Sequence, residues 1–335
     1  MPMIRVEMFP GRTQEQKAAF ARAVTDAFVS ICGGTPESVH IVYRDVPRTD
    51  WAVAGKLASD GAPSQTAALK QTTSAERPAK AVDCAYWIEG DGPPVFFVHG
   101  IGARRQGWSR LIELIKADFR CVSYDLRGHG ESPIPAGKFG LDELVADLEA
   151  LRQRLGIEKA HIVGHSLGGM IGPAYARAYP DRVLSLGLLS TAAFRTEDDS
   201  AKVRGVVTAM EKNGIAQTLD TLASRWFTDR FMTEHADRVE ARKRQVVETD
   251  PDVFLNVFRI YAETEMAPWL HEVKVPSLVL TGELDGGCNP RLNKQIAAAL
   301  PKAELVILDG LKHAILIEAS ERVAPHVHRF LKAHS

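Results

Sequence analysis

The 335-residue sequence carries 41 Lys and Arg against 42 Asp and Glu, and 45% of its residues are hydrophobic. That balance excludes a field of one sign that would draw in nucleic acid or an anionic membrane, and no apolar run is long enough to span a bilayer. The length allows one large domain plus a smaller one. Cys32, Cys84, Cys121 and Cys288 are scattered, with no Cys-x-x-Cys pair and no histidine spacing suited to zinc. No metal or cofactor is therefore expected. With no basic stretch leading into an apolar core at the N-terminus, a reduced cytoplasmic location is the default.

Residues 1–59 read as strand, helix, strand. Met3 to Phe9 is a short apolar-rich run. Thr13 to Gln16 then forms a capping box, in which a hydroxyl and an amide side chain satisfy the first free amides of a helix. Phe20, Val24, Phe28 and Ile31 follow at helical spacing, and Gly33-Gly34 supplies a left-handed stop. Val39, Ile41 and Tyr43 alternate with His40, Val42 and Arg44, which is strand periodicity. Residues 60–80, rich in Ala, Ser, Thr, Gln and Pro, read as a flexible linker.

From 81 to 335 apolar runs alternate with amphipathic stretches. The strand candidates are Val95 to Val98, Arg120 to Tyr124, His161 to Val163, Val183 to Leu189, Ser277 to Thr281 and Glu304 to Leu308. Helical patterns such as Leu141 to Leu155 and Met170 to Tyr179 lie between them. The alternation predicts an α/β fold with a mostly parallel sheet covered on both faces. Between about 191 and 273 the pattern is all-helical, as in a cap inserted over the sheet's C-terminal edge.

Gly164-His165-Ser166-Leu167-Gly168 joins an apolar strand to a helix. A sharp strand-to-helix turn needs small residues around its serine, exposes the hydroxyl and aims the helix N-terminus at developing negative charge. A serine needs a histidine to take its proton, and the histidine needs an acid to hold its tautomer. Asp285 follows one strand candidate and His313 the next, so both emerge at the serine's edge of the sheet. Glu283 and Asp309 are the competing acids. The oxyanion hole is expected from the N–H groups of Leu167 and of Ile101 in the loop after Val98. The His99 side chain is expected to pack beneath that loop, and Tyr124 to Gly130 to serve as loop scaffold. Arg225 or Arg105 would grip a substrate carboxylate.

These motifs, with Asp125-Leu126-Arg127-Gly128-His129-Gly130, resemble the α/β-hydrolase superfamily throughout. Within it Ser132-Pro133, Arg225-Trp226-Phe227-Thr228 and Thr249-Asp250-Pro251 resemble 3-oxoadipate enol-lactonases. The sequence departs from them in having His165 and Leu167 around the serine. It departs from meta-cleavage C–C hydrolases in having Ala103-Arg104-Arg105 after the His-Gly loop. The resemblance implies a helical cap in which Arg225 and Trp226 meet the substrate.

Residues 2 to about 58 resemble the 4-oxalocrotonate tautomerase family, through Pro2 directly after Met1, Gly11-Arg12, the helix and the second strand. The resemblance implies that Pro2, freed by removal of Met1, shuttles a proton between carbons of an enol while Arg12 binds a carboxylate. His40 stands where the family's second strand usually has arginine, and Trp51 where phenylalanine is usual, so both join the expected substrate-binding set. A unit this small has too little interior to be stable alone, and the family solves this by forming trimers or hexamers. A homo-oligomer built through this unit is expected, with no nucleic-acid or membrane partner. The leading reading is a bifunctional hydrolase and tautomerase acting on small carboxylated enol or enol-lactone intermediates of aromatic degradation. The alternatives are a C–C bond hydrolase of a meta-cleavage product, and a carboxylesterase on a catalytically silent assembly module.

Overall fold

The computed structural model describes residues 2–8, 14–46, 50, 52–53, 56–57 and 81–335. Arg12, Trp51, the side chains of the expected capping box and the 60–80 linker lie outside them. The chain divides into two compact units, Met1–Ala75 and Glu76–Ser335.

In the first unit strand β1 (Met3–Met8) pairs in parallel with β2 (His40–Asp45), joined by helix α1 (Gln14–Cys32). The helix ends where Gly33 and Gly34 take φ of 75° and 98°, a conformation open to glycine without a Cβ clash. A short antiparallel pair, β3 (Ala52–Val53) with β4 (Lys56–Leu57), follows. Helix and sheet meet where Tyr43 Oη donates to the Lys17 carbonyl at 2.6 Å and the Phe20 ring lies 6.5 Å from that of Tyr43. Ile41 and Tyr43 are half-buried and His40, Val42 and Arg44 exposed, the alternation expected of a one-faced strand. None of the described residues of this unit is fully buried, and Met3, Phe20, Ile31 and Val42 are exposed.

The second unit is built on a seven-stranded sheet. Its strands are β5 (Tyr86–Glu89), β6 (Pro94–Val98), β7 (Arg120–Tyr124), β8 (Ala160–His165), β9 (Val183–Leu189), β10 (Ser277–Gly282) and β11 (Ala303–Leu308). Their order is β11-β10-β9-β8-β6-β7-β5, parallel except for β5, which runs antiparallel to β7 at the edge. The inner strands read as continuous apolar runs because both faces are covered. On one face Phe96, Val98 and Ile162 pack under α3 (Leu141–Arg154), α4 (Gly168–Ala178) and α10 (Pro290–Ala299). On the other, Val95, Phe97 and Val163 pack under α2 (Ser109–Ile115), α11 (Ile315–Glu318) and α12 (Ser320–Lys332). Each buried aromatic contributes about 1.5–3 kcal/mol.

Between β9 and β10 the chain forms five helices: α5 (Glu197–Asn213), α6 (Ile215–Trp226), α7 (Asp229–Glu234), α8 (Ala236–Val247) and α9 (Pro251–Glu263). Helices α5, α6, α8 and α9 share an apolar cluster of Val207, Met210, Leu219, Leu222, Val246, Phe254 and Phe258, and α7 packs Phe231 with Ala223, Phe227 and Val239. Thr196, Thr228 and Asp250 cap α5, α7 and α9 by accepting first-turn N–H groups. No helix among the described residues is long and apolar enough to cross a membrane.

Candidate active site

Because β6, β8, β9, β10 and β11 run parallel, the loops after them open at one edge of the sheet, where ligands bind in open parallel sheets. The turn after β8 carries the serine. Ser166 has φ of 55°, a left-handed backbone that costs a non-glycine residue about 1–3 kcal/mol. Its N–H donates to the Leu189 carbonyl at 2.9 Å, and its own carbonyl accepts from Gly169 N–H at 3.0 Å and Thr191 Oγ1 at 2.9 Å. The flanking glycines are obligatory by contact. A Cβ on Gly164 would lie 2.0 Å from the Gly168 carbonyl oxygen, and one on Gly168 would lie 2.0 Å from that of Val98.

Asp285 and His313 meet across the next two loops. His313 Nδ1 donates to Asp285 Oδ2 at 2.8 Å, while Asp285 Oδ1 accepts the N–H groups of Gly287 and Cys288 at 3.0 and 2.8 Å. Asp285 is 2% exposed. Burial opposes the charge on both groups. The mutual attraction and hydrogen bond outweigh it, holding Asp285 below the usual carboxylate range and raising His313 above the usual imidazole range. Glu283 accepts from Gly310 N–H and Asp309 pairs with Arg322, so neither competing acid is joined to the histidine. Ser166, Asp285 and His313 line one pocket with a cavity volume of about 330 Å³. The Ser166 hydroxyl makes no hydrogen bond to any of the described residues.

The loop after β6 lies against the serine, since a Cβ on Gly100 would come within 2.9 Å of Ser166 Cβ. Two neutral histidines hold it. His99 donates from Nδ1 to the Gly100 carbonyl at 2.8 Å and accepts Leu126 N–H at Nε2 at 2.9 Å. His129 accepts Gly102 N–H at 3.2 Å. Burial pushes His99 down to about 4 and His129 down to about 3, so both keep a lone pair for these bonds. From the cap, Arg242 donates to the carbonyls of Gly102 and Ile101 at 2.5 and 2.9 Å. Both carbonyls are turned toward the cap, and among the described residues the N–H groups of Ile101 and Leu167 find no acceptor. His165, pushed down to about 3 by burial and then by His313, donates from Nε2 to the His313 carbonyl at 3.0 Å.

Arg225 and Trp226 both line the pocket from the end of α6, Arg225 exposed and Trp226 half-buried. The Trp226 carbonyl accepts Ala314 N–H at 2.8 Å, which fixes the backbone next to His313. Arg105 is a correction. It is 2% exposed and does not line the pocket. Its guanidinium pairs with Asp125, reaches Glu131 at 2.9 Å and stacks 4.5 Å from the Trp87 ring. It ties the β6 and β7 loops together instead of gripping a substrate. Arg105→Ala is accordingly expected to cost about 3–5 kcal/mol in urea unfolding, because Asp125 is left buried without its counter-charge. It should not selectively raise KM for carboxylated substrates.

The sequence reading passed over Arg195, Arg242, Tyr261 and Cys288, all of which line the pocket. Arg242 sits in the charged run Arg238 to Arg244, which has the pattern of a solvated helix face. Arg195 lies only six residues past the end of β9, and that position at the active edge was the available signal. Among the described residues Asp285, Cys288 and His313 bring possible metal-ligand atoms within 4.8 Å of one another. Since His313 Nδ1 is already bonded to Asp285, that group is the acid–base pair with a thiol beside it.

In the first unit the Pro2 carbonyl accepts His40 N–H at 3.0 Å, so Pro2 lies at the start of the parallel pair. The His40 side chain is exposed, and Arg44, two positions from Val42 on the same face, stands 3.8 Å from Glu7.

The family model described as alpha/beta hydrolase fold matches residues 93–320, and that described as tautomerase enzyme matches residues 2–61. The chain is 28% identical over 205 residues to 3-oxoadipate enol-lactonase 2 of Acinetobacter baylyi, covering 61% of this chain and 76% of that protein. The solved enol-lactonase from Burkholderia xenovorans LB400 superposes with a TM-score of 0.70 at 26% identity, covering 76% of this chain and all (100%) of that one. A thermophilic esterase from Thermogutta terrifontis gives 0.69 at 27% identity, over 76% of this chain and 95% of its own. The chain belongs to the α/β-hydrolase fold family and carries a tautomerase domain ahead of the hydrolase.

Proposed function

We propose that the second unit hydrolyses small carboxylated esters or enol-lactones with Ser166 as nucleophile. The observation that carries this reading is the strained Ser166 turn sharing one pocket with the His313–Asp285 pair. His313 takes the Ser166 proton as the oxygen attacks the carbonyl carbon, and Asp285 stabilises the imidazolium. The N–H groups of Leu167 and Ile101 receive the oxyanion. The tetrahedral intermediate collapses with the proton passing to the leaving oxygen, and water then releases the acid by the same route. No metal or cofactor enters these steps. The similarity to enol-lactonases supports an enol-lactone as substrate, with Arg225 and Trp226 at its cap side.

In the first unit Pro2 acts as the base of a keto–enol tautomerisation once Met1 is removed. An α-amino nitrogen titrates nearer neutrality than lysine. Arg12, His40 and Trp51 bind the substrate's polar end. The match to the tautomerase family and the position of Pro2 at the head of the strand pair support this. A unit in which none of the described residues is fully buried, and which exposes Met3, Phe20, Ile31 and Val42, supports assembly into a trimer or hexamer of chains.

Hydrolysis of an enol-lactone yields an enol acid, which the tautomerase site would ketonise. Pro2→Ala is expected to lower ketonisation by about 10²- to 10⁴-fold, the usual worth of a positioned base. Lactone hydrolysis and the sedimentation coefficient should stay as in the wild type. Ultraviolet absorbance follows both reactions. Unchanged ketonisation in the variant would leave the first unit as an assembly module alone.

A further inference from the structure

We propose that Arg195 anchors a carboxylate of the substrate, making it the main determinant of substrate charge in the hydrolase pocket. The assignment rests on that pocket being the hydrolytic site.

The pocket is lined by the cations Arg104, Arg195, Lys202, Arg225 and Arg242, against the acids Asp199 and Asp285. Both acids are engaged within the chain, Asp199 by Thr196 and Arg291, and Asp285 by His313. Among the cations, Arg104 pairs with Glu248 and Lys202 with Asp198, and Arg242 is committed to the carbonyls of Ile101 and Gly102. Arg225 is exposed. Arg104 also has a buried Nε without a partner, but its Nη2 is spent on Glu248, whereas Arg195 leaves two adjacent nitrogens so. The Arg195 Nη1 donates to the Thr264 carbonyl at 3.1 Å and its guanidinium bears on the Tyr261 hydroxyl, yet among the described residues the buried Nε and Nη2 complete no hydrogen bond.

Nε and Nη2 form the side edge of the guanidinium, two parallel N–H donors at the spacing of a carboxylate's two oxygens. Leaving such an edge desolvated is unfavourable unless an anion completes it. One face of the group is covered by an aromatic ring. The Arg195 Cζ lies 4.4 Å over the Tyr261 ring, which fixes the plane of the fork.

The backbone is built to hold this orientation. Phe194 has φ of 62°, a left-handed conformation disfavoured for an aromatic residue. The Glu265 carboxylate clamps it, accepting Phe194 N–H at 2.9 Å and Arg195 N–H at 3.1 Å. Backbone strain imposed in this way collects at ligand clamps. Tyr261 and Cys288 connect Arg195 to the reacting groups. Tyr261 Oη and Cys288 Sγ are 3.2 Å apart, and Cys288 lies beside Asp285 and His313.

The remaining lining includes Ile101, Val203, Val206, Leu222, Phe258 and Ile317, which suits a short hydrocarbon chain. The ligand class is therefore a short acyl chain with a reactive ester or lactone carbonyl and a terminal carboxylate.

The test uses two p-nitrophenyl esters of equal length, one of hydrogen adipate and one of methyl adipate, with full-length wild type, Arg195→Met, Arg195→Lys and Ser166→Ala. Wild type should prefer the charged ester. Arg195→Met should lose about 10- to 100-fold in kcat/KM on the charged ester while the neutral ester changes less than about threefold. Arg195→Lys should recover part of the preference. An equal loss on both esters, or a preference surviving in Arg195→Met, overturns the assignment. Calorimetric binding of adipate to Ser166→Ala reads the same contact without turnover, and adding Arg195→Met should raise Kd at least about tenfold. Equal binding, or none to the parent, overturns the anchor whatever the hydrolytic result. Turnover no faster in wild type than in Ser166→Ala, with adipate binding still dependent on Arg195, would refute the serine mechanism alone.

Discussion

Ser166→Ala is expected to lower kcat/KM for ester or lactone hydrolysis by on the order of 10⁴- to 10⁶-fold, leaving a residue from binding and the oxyanion donors. The size follows from the division of labour at the turn. On the proposed mechanism His313 and Asp285 act through the serine oxygen, so removing that oxygen should silence all three at once. Stability should hardly move, which separates a catalytic loss from a folding one. Among the described residues the hydroxyl has no hydrogen bond to lose, and the φ of 55° is imposed by Ser166 N–H on Leu189 and by Thr191 on the Ser166 carbonyl, backbone contacts that alanine keeps. The measurement is steady-state hydrolysis beside a urea midpoint for both proteins. Activity within tenfold of wild type at an unchanged midpoint would remove Ser166 from the mechanism and turn attention to Cys288 in the same pocket.

The parts of this site legible in the sequence are those in which local chain chemistry dictates position. Gly164 and Gly168 are readable because no side chain fits beside the Val98 and Gly168 carbonyls, and that constraint belongs to the turn itself. Asp285 and His313 are readable because each follows an apolar run, and parallel strands deliver their loops to one edge. The arginines are different. Arg105 and Arg195 are chemically identical, and a single sequence carries no record of which one finds an acid. Asp125, 20 residues from Arg105, takes one into a buried pair, while Glu265 holds the backbone of the other and leaves two of its side-chain nitrogens without a hydrogen bond. Strand β5 was missed for a related reason. Tyr86, Trp87 and Ile88 are all exposed, so Tyr-Trp-Ile-Glu shows no alternation, and its strand character comes from pairing with β7. The mixed character of the sheet follows from that one edge strand.

Asp285→Asn tests the electrostatics of the pair and should cost about 10⁴-fold in kcat, as expected when the tautomer of the base is no longer fixed. The pH profile should move as well. In the wild type Asp285 raises His313, so the acid limb of kcat/KM, which requires neutral His313, lies above the ordinary imidazole value of about 6.5. In the variant burial is opposed only by the Cys288 side chain, and the limb should shift to lower pH. Stability follows by linkage. The raised His313 stabilises the fold fully below its unfolded value and loses that contribution as pH rises through the raised one. The lowered Asp285 stabilises above its unfolded value, near about 3.9, and loses this as pH falls. The two windows overlap between about pH 4 and 6.5, where the variant should be most destabilised relative to wild type. Urea midpoints at pH 5 and pH 9 should therefore differ more between the two proteins at pH 5. An acid limb that stays in place in Asp285→Asn, with equal stability differences at both pH values, would mean that Asp285 orients the ring without setting its charge, leaving the hydrogen bond at 2.8 Å as its whole contribution.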